Sequence, residues 1–332
     1  MARTGTVSRA PKFTDIDKNV LRGICRQPWG NDREISEDAN VRLSTVTASK
    51  YRMKKNKIFS RSYLPAYHRL GYYLVSVSQI RLQPMAGIDF KTLVKNKSDK
   101  TAVPFIIHDS LNALIIAYHP TYSDFKIFER QFELPWQHEL QILEGANCIV
   151  NFDFTNTINK MFFPKDFENS RSLKIDTTPF RFVGKVHRKA FNGLVQNPEK
   201  LPNDLVRPLG TTRQTIVKIR KNLRTSHILD RVVLVDLEKI GISLLSFIKI
   251  NTGIFSEKDI FIINKALKPF FYWNFEKAHY LLVGNIDYSE LLSGLRSISE
   301  NKITVNIDVQ LFDIRAYKIF YGFDNQPIAS VD

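Results

Sequence analysis

SKYRMKKNKIFSRSYLPAYHRLGYYLVSVSQI runs from Ser49 to Ile80, and KIRKNLRTSHILDRVVLVDLEKIGISLLSFIKI runs from Lys218 to Ile250. The two stretches are one pattern written twice. Lys50 falls opposite Arg220, Ile58 opposite Ile228 and Gly71 opposite Gly241. Each copy reads as a basic helix, a short break, a two-stranded ribbon, a Gly and an apolar strand. That order predicts a helix that reads nucleic acid, its wing, and the entry into a second domain. An internal repeat of this length sets the architecture before any shorter motif is weighed.

The chain has 332 residues, 43% of them hydrophobic and 12% aromatic, enough for several small packed domains. Only Cys25 and Cys148 are present, both in the first half, which excludes a disulfide framework or a cysteine-based zinc site and points to a reducing compartment. The opening MARTGTVSRAPKF has no apolar stretch of the kind a secretory signal carries. No run approaches the roughly 18 apolar residues of a membrane span. The expectation is a soluble protein of the cytoplasm, associated with the nucleoid and not with a membrane.

The net charge of +15 is concentrated rather than spread. Residues 1–62 carry +8 and residues 180–231 carry +9, while the remainder carries −2. The excess therefore sits at matching places in the two repeats. A localised basic footprint is what contact with a polyanion requires.

Reading along the chain, residues 1–12 form a basic arm. A first helix follows, with Thr14 or Asp15 as its cap, Ile16, Val20, Leu21 and Ile24 on one face, and Pro28, Trp29 and Gly30 ending it. Ser36 caps a short second helix to Arg42. The third runs from about Ser44 to Asn56, with Val46, Ser49, Tyr51 or Met53 facing inward. Ile58–Ser62 and Pro65–Arg69 read as wing strands, as does Ile228–Leu237 in the second copy. The segments after each wing read β–α–β–β–α–β, the ferredoxin-like order. The first of them includes a helix over Ile88–Lys95 and a hairpin of Phe105–His108 with Leu114–Tyr118. The predicted class is α+β: two winged helix-turn-helix domains (13–70 and 180–240), each followed by a ferredoxin-like domain (71–154 and 241–332), with a linker at 155–179.

LVRPLGTTRQTIVKIRKNLRTSHILDRVVLVDLEKIGIS (Leu205–Ser243), DIDKNVLRGI (Asp15–Ile24) and AHYLLVGNI (Ala278–Ile286) together resemble the Lrp/AsnC family of prokaryotic transcription regulators. The resemblance implies an N-terminal winged helix-turn-helix, a C-terminal ferredoxin-like domain for effector binding and oligomerisation, and pairing of those domains through their sheets. Ordinary members carry one copy of each domain, and this chain carries two in tandem. The family's Gly-Asp turn before the Tyr-Leu-Leu strand is missing, and the first half has HDSLNALIIAYHP there instead.

An α-helix fits the major groove, where its N-terminal residues meet base edges and basic side chains flank phosphates. Ser44, Thr45 and Thr47 occupy that end of the first basic helix. Thr211, Thr212, Arg213 and Gln214 occupy it in the second. Arg pairs bidentately with guanine and Gln with adenine, so the second copy is the more sequence-selective. Lys50, Lys54, Lys55, Lys218, Arg220, Lys221 and Arg224 are placed for phosphates, which hold register without reading sequence. Arg61 and Arg69 either grip the backbone or keep an edge strand soluble. Such a basic face is otherwise a solvated one; its recurrence before a ribbon in both copies favours nucleic acid.

His108, His119 and His138 read as hydrogen-bonded strand-end residues more readily than as ligands, and no His/Cys pair has metal spacing. The chain shows no Walker loop, dinucleotide fingerprint or nucleophile elbow. The expectation is thus a sequence-specific regulator of double-stranded DNA, not an enzyme. It needs no cofactor or metal, self-associates through its ferredoxin-like domains, and has room for a small-molecule effector. The alternatives are a chromatin-like architectural protein and an enzyme like the siroheme decarboxylases, which resemble this family in fold.

Overall fold

The computed structural model describes residues 13–82, 101–109, 112–133, 140–142, 148–151, 178–251, 257–269, 271–275, 278–301, 306–313 and 318–321. The expected basic arm, the helix over Ile88–Lys95, His138 and nearly all of the expected linker lie outside these residues. Within them the fold mixes helices with small antiparallel sheets. In chain order the elements are α1 (Asp15–Arg26), α2 (Asp32–Ala39), α3 (Leu43–Lys55), β1 (Phe59–Pro65), β2 (Leu74–Leu82), β3 (Ala102–His108), β4 (Asn112–His119), α4 (Tyr122–Glu133), β5 (Leu140–Ile142), β6 (Cys148–Asn151), α5 (Gly184–Gln196), α6 (Pro202–Leu209), α7 (Arg213–Thr225), β7 (Leu229–Val235), β8 (Leu244–Asn251), α8 (Glu257–Leu267), β9 (Phe271–Phe275), β10 (Ala278–Asn285), α9 (Tyr288–Glu300), β11 (Asn306–Asp313) and β12 (Lys318–Tyr321).

Local chemistry sets most helix ends. Thr14 caps α1: its Oγ1 accepts from Asp17 N at 3.2 Å, and Asp17 accepts from Thr14 N at 3.1 Å. The second helix starts earlier than expected. Asn31, not Ser36, is its cap, because Asn31 accepts from Arg33 and Glu34 while Glu34 accepts from Asn31 N. Pro202 opens α6 where its missing N–H costs nothing. Tyr51, expected inward, is 71% exposed. Val46, Ser49 and Met53 already make the buried stripe of α3 at helical spacing, which leaves Tyr51 on the far side.

The repeat is written into the backbone. Asn40 and Gly210, Lys57 and His227, and Gly71 and Gly241 fall opposite one another, and all six have positive φ, at 51° and 60°, 52° and 51°, and 90° and 90°.

The wings differ from expectation. No local hairpin forms in either copy. β1 continues unbroken from Phe59 to Pro65, a short 3-10 turn covers Tyr67–Leu70, and β1 pairs antiparallel with β7 of the other repeat. At the spacing that sets Gly71 opposite Gly241, Ser62 stands opposite Val232, and the ladder pairs those two residues with each other. The ribbon therefore has a local two-fold axis through its middle. The physical reason is partner choice: Phe59, Tyr63, Leu229, Val233 and Val235 are all buried on one face, and each strand completes that face for the other.

Beyond the ribbon, the second half runs β–α–β–β–α–β, with sheet order β11-β8-β10-β9. Its Ile248, Ile250, Leu281 and Val283 pack with Ile263, Leu291 and Ile298 of α8 and α9. The first half has β3-β4-β2, with β5 and β6 both pairing antiparallel with β2. β12, from the end of the chain, adds to β3 and extends this sheet to six strands. Val75, Val77, Leu114 and Ile116 of the first sheet share one buried cluster with Leu245, Phe247, Leu282 and Phe312 of the second. Among the described residues no helix is long and apolar enough to cross a membrane.

A Cβ added at Gly241 would meet no atom within 4 Å, so only its φ of 90° opposes a side chain. Gly241→Ala is expected to lower stability by about 1–2 kcal/mol, the cost of a left-handed L-residue, read as a lower midpoint of denaturant unfolding. An unchanged midpoint would show that this turn relaxes.

Candidate nucleic-acid interface

α3 and α7 are the two basic helices, and they differ in what surrounds their cations. Thr212 caps α7, accepting from Thr215 N at 3.2 Å, whereas α3 begins at Arg42 without a side-chain cap. On α7, Arg213, Gln214, Lys218 and Lys221 are exposed and make no salt bridge among the described residues; Thr211 is half-buried beside them. Gln214, Lys218 and Lys221 follow at helical spacing and share one outward stripe.

On α3 the corresponding charge is engaged. Lys50 is half-buried in an ion pair with Asp32, which also accepts from Thr47 Oγ1 at 2.8 Å. Lys54 lies 3.5 Å from Glu199 of the other repeat. Arg52 meets Asp17 at 2.5 Å. Of the expected contact residues on this helix, Ser44 and Lys55 stay exposed and Thr45 is half-buried.

Asp17 is the anchor beneath α3. Its side chain is almost fully buried and accepts from Ser49 Oγ, Arg52 Nη2, Thr14 Oγ1 and Thr14 N. Burial opposes its ionisation, but the hydrogen bonds from Ser49, Arg52 and Thr14 outweigh it and hold the carboxyl below its ordinary value. Asp32 follows the same logic: burial opposes the charge, and Lys50 and Thr47 prevail.

Trp29 and Glu199 take corresponding places in the two repeats and do different work. The guanidinium carbons of Arg220, Arg224 and Arg231 lie 5.3, 5.0 and 5.7 Å from the Trp29 ring centroid, and Tyr63 packs on that ring at 5.6 Å. Glu199 instead accepts from Arg61 N at 2.7 Å as well as pairing with Lys54. In the sequence Trp29 stands only as a helix terminator, and Glu199, Asp17 and Asp32 carry no local signal of a role. The repeat alignment held the signal, since it sets an indole against a carboxylate beside two basic helices.

Arg61 and Arg231 stand diagonally across the local two-fold, opposite Val233 and Tyr63 respectively. Burial lowers both guanidinium pKa values, that of Arg231 to about 10, and both remain charged at neutral pH. Arg61 Nε and Nη2 are buried without a hydrogen-bond partner among the described residues, so this side chain faces the interior of the ribbon and not an outer phosphate surface. Arg69 donates to the carbonyls of Thr178 at 3.0 Å and Ser226 at 2.5 Å. It braces the chain entering the second half, and neither reading of it as backbone grip or edge charge holds.

His119 is fully buried, hydrogen-bonded to Ser76 and Thr101, and burial lowers its pKa to about 4. Among the described residues no three His, Cys, Asp or Glu side chains are grouped to hold a metal.

No protein-family model matches the chain, and comparison with curated proteins finds no match. Solved structures do align with it. The crystal structure of the siroheme decarboxylase NirDL covers 90% of this chain and 91% of its own, at 9% identity and a TM-score of 0.47. The same protein in co-complex with an iron-uroporphyrin III analogue gives 90% and 91%, at 10% identity and 0.45. An AsnC family transcriptional regulator from Agrobacterium tumefaciens covers 39% of this chain and 90% of its own, at 14% identity and 0.33. The expectation that the chain is not an enzyme is thereby corrected: the match that runs along nearly all of it is to an enzyme.

Asp17→Asn keeps an acceptor but loses the charge. It is expected to cost about 1–3 kcal/mol at pH 7, the range for a charge-assisted buried bond. Because the folded pKa is depressed, the carboxylate's contribution is present above its unfolded value of 3.8 and lost as pH falls through the lower folded value. The stability gap between wild type and variant should therefore close in that acid window. Urea unfolding at both pH values measures it, and a gap that persists at low pH would remove the carboxylate from this role.

Proposed function

We propose that this chain is a tandem DNA-binding regulator of the Lrp/AsnC type, with α7 as its principal reading helix. In this reading residues 13–70 and 180–240 are winged helix-turn-helix domains, residues 71–154 and 241–332 are ferredoxin-like domains, and a linker at 155–179 joins the two halves. The observation that carries it is the exposed row of Arg213, Gln214, Lys218 and Lys221 on a capped helix within the segment of +9 charge. Arg213 and Gln214 stand at the N-terminal end, where base edges are met, and the two lysines stand where phosphates run. Ser44, Thr45 and Lys55 of α3 contribute at the margin.

Double-stranded DNA is the partner. The sheet-to-sheet pairing that separate subunits would supply is available within the chain, since both sheets contribute to one buried cluster. A small-molecule effector would find room in a cavity of about 350 Å³ lined by Lys265, Lys268, Asn285, Glu290 and Ser297.

With the ribbon sealed and α3 engaged, roughly four phosphates are neutralised, and affinity for duplex DNA is expected to fall about a hundredfold between about 50 and 200 mM salt. Arg213→Ala or Gln214→Ala should relax sequence preference by about 1–3 kcal/mol, while Lys218→Ala with Lys221→Ala weakens all duplexes alike and flattens the salt slope. Fluorescence anisotropy with selected and random duplexes measures both. A flat salt response would sink the reading, and purified protein carrying a tetrapyrrole absorbance band would move it to the siroheme-decarboxylase class.

A further inference from the structure

The unequal charge of the two basic helices traces to two acids. Asp32, at the start of α2, takes Lys50 and Thr47 of α3. Glu199, from the other repeat, takes Lys54 and the backbone N–H of Arg61. At the same spacing Pro202 of the second copy stands opposite Asp32, and Trp29 of the first copy stands opposite Glu199. Pro202 holds no cation. Trp29 gathers Arg220 and Arg224 over its ring, and an aromatic face attracts guanidinium without neutralising it. One lock cancels charge, and the other keeps it.

For Lys50 or Lys54 to reach phosphate, an ion pair must open and a carboxylate must stay close to the DNA backbone, where it repels. α7 meets neither cost. We infer that Asp32 and Glu199 are the specificity-determining residues that concentrate nucleic-acid contact on α7, so that the chain reads one groove segment with one helix and α3 contributes only at its margin. This rests on the DNA-binding reading above, and it adds which helix reads and what withholds the other. Asp17 deepens the bias, because it holds Arg52, whose counterpart in α7 is the uncharged Asn222.

The test is a gain of binding. In the full-length protein, Asp32→Asn with Glu199→Gln keeps the hydrogen-bond acceptors and removes both charges. Anisotropy with a random-sequence duplex is read across a salt series. The double variant is expected to bind about tenfold tighter near 100 mM salt, with a slope steeper by about two phosphates. Glu300→Gln, an exposed acid at the end of α9, is the control for net charge and should stay within about twofold of wild type. Thermal melts confirm folding, and Glu199→Gln alone, at a half-exposed pair, carries the test if the double variant melts early.

Unchanged or weaker binding by a folded variant overturns the inference, as does an equal gain from Glu300→Gln. If Lys218→Ala with Lys221→Ala abolishes binding while acid removal changes nothing, the inference falls and the DNA reading stands. If neither wild type nor variant binds any duplex, both fall.

Discussion

The antiparallel ladder from Phe59↔Val235 to Pro65↔Leu229 joins the two repeats strand to strand, and the arrangement of the helices depends on it. A two-stranded ribbon is marginal by itself in water and needs an apolar face to bury. Pairing the two copies gives each strand its partner and seals Phe59, Tyr63, Val233 and Val235 under the helices. Because Ser62 meets its own counterpart Val232, the three-helix units are set about a local two-fold. Each then reaches across: Trp29 to α7, and Glu199 to the end of α3.

Those two contacts hold little of the fold. A half-exposed ion pair such as Lys54–Glu199 contributes about 0–1 kcal/mol, and a cation–π contact about 0.5–1 kcal/mol at an exposed site. The ladder and the shared apolar cluster carry the association. The contacts can therefore differ between the repeats without breaking the pseudo-symmetry. What they decide is electrostatic: one end of the molecule presents cations and the other has them matched by carboxylates.

Much of this was legible in the sequence, and the parts that were not share a cause. The repeat, the helices after Thr14 and Thr212 and the strand order of the second half follow from local signals: caps, apolar periodicity and turn residues. The positive-φ positions Asn40 and Gly210 stand at the same step in each copy. The ribbon was misread because Ile58–Arg69 shows that a strand exists without showing what it pairs with, and the partner lies in the other repeat. β12 was missed for the same reason, its partner β3 being far away in the chain. In the candidate interface the basic residues were legible as a set. Their engagement was not, because Asp32, Asp17 and Glu199 act across loops and between repeats.

Two copies in one chain are free to differ, and Asp17 and His187 show how far. They stand at corresponding places, and each side chain accepts a backbone N–H at the start of its helix: Asp17 from Thr14, His187 Nδ1 from Val183. The capping task is therefore kept in both. Beyond it they diverge. Asp17 brings a buried negative charge under α3 and takes Ser49 and Arg52. Burial lowers the His187 pKa, and its ring packs against Phe180 and Phe182, so it brings no carboxylate to α7. A homodimer with the same local symmetry would have to use one residue for both positions, so both of its helices would be matched or both left free. The fused chain holds the geometry fixed and varies the charge, and that combination gives a pseudo-symmetric molecule one basic helix with exposed cations and one whose Lys50, Arg52 and Lys54 are matched by carboxylates.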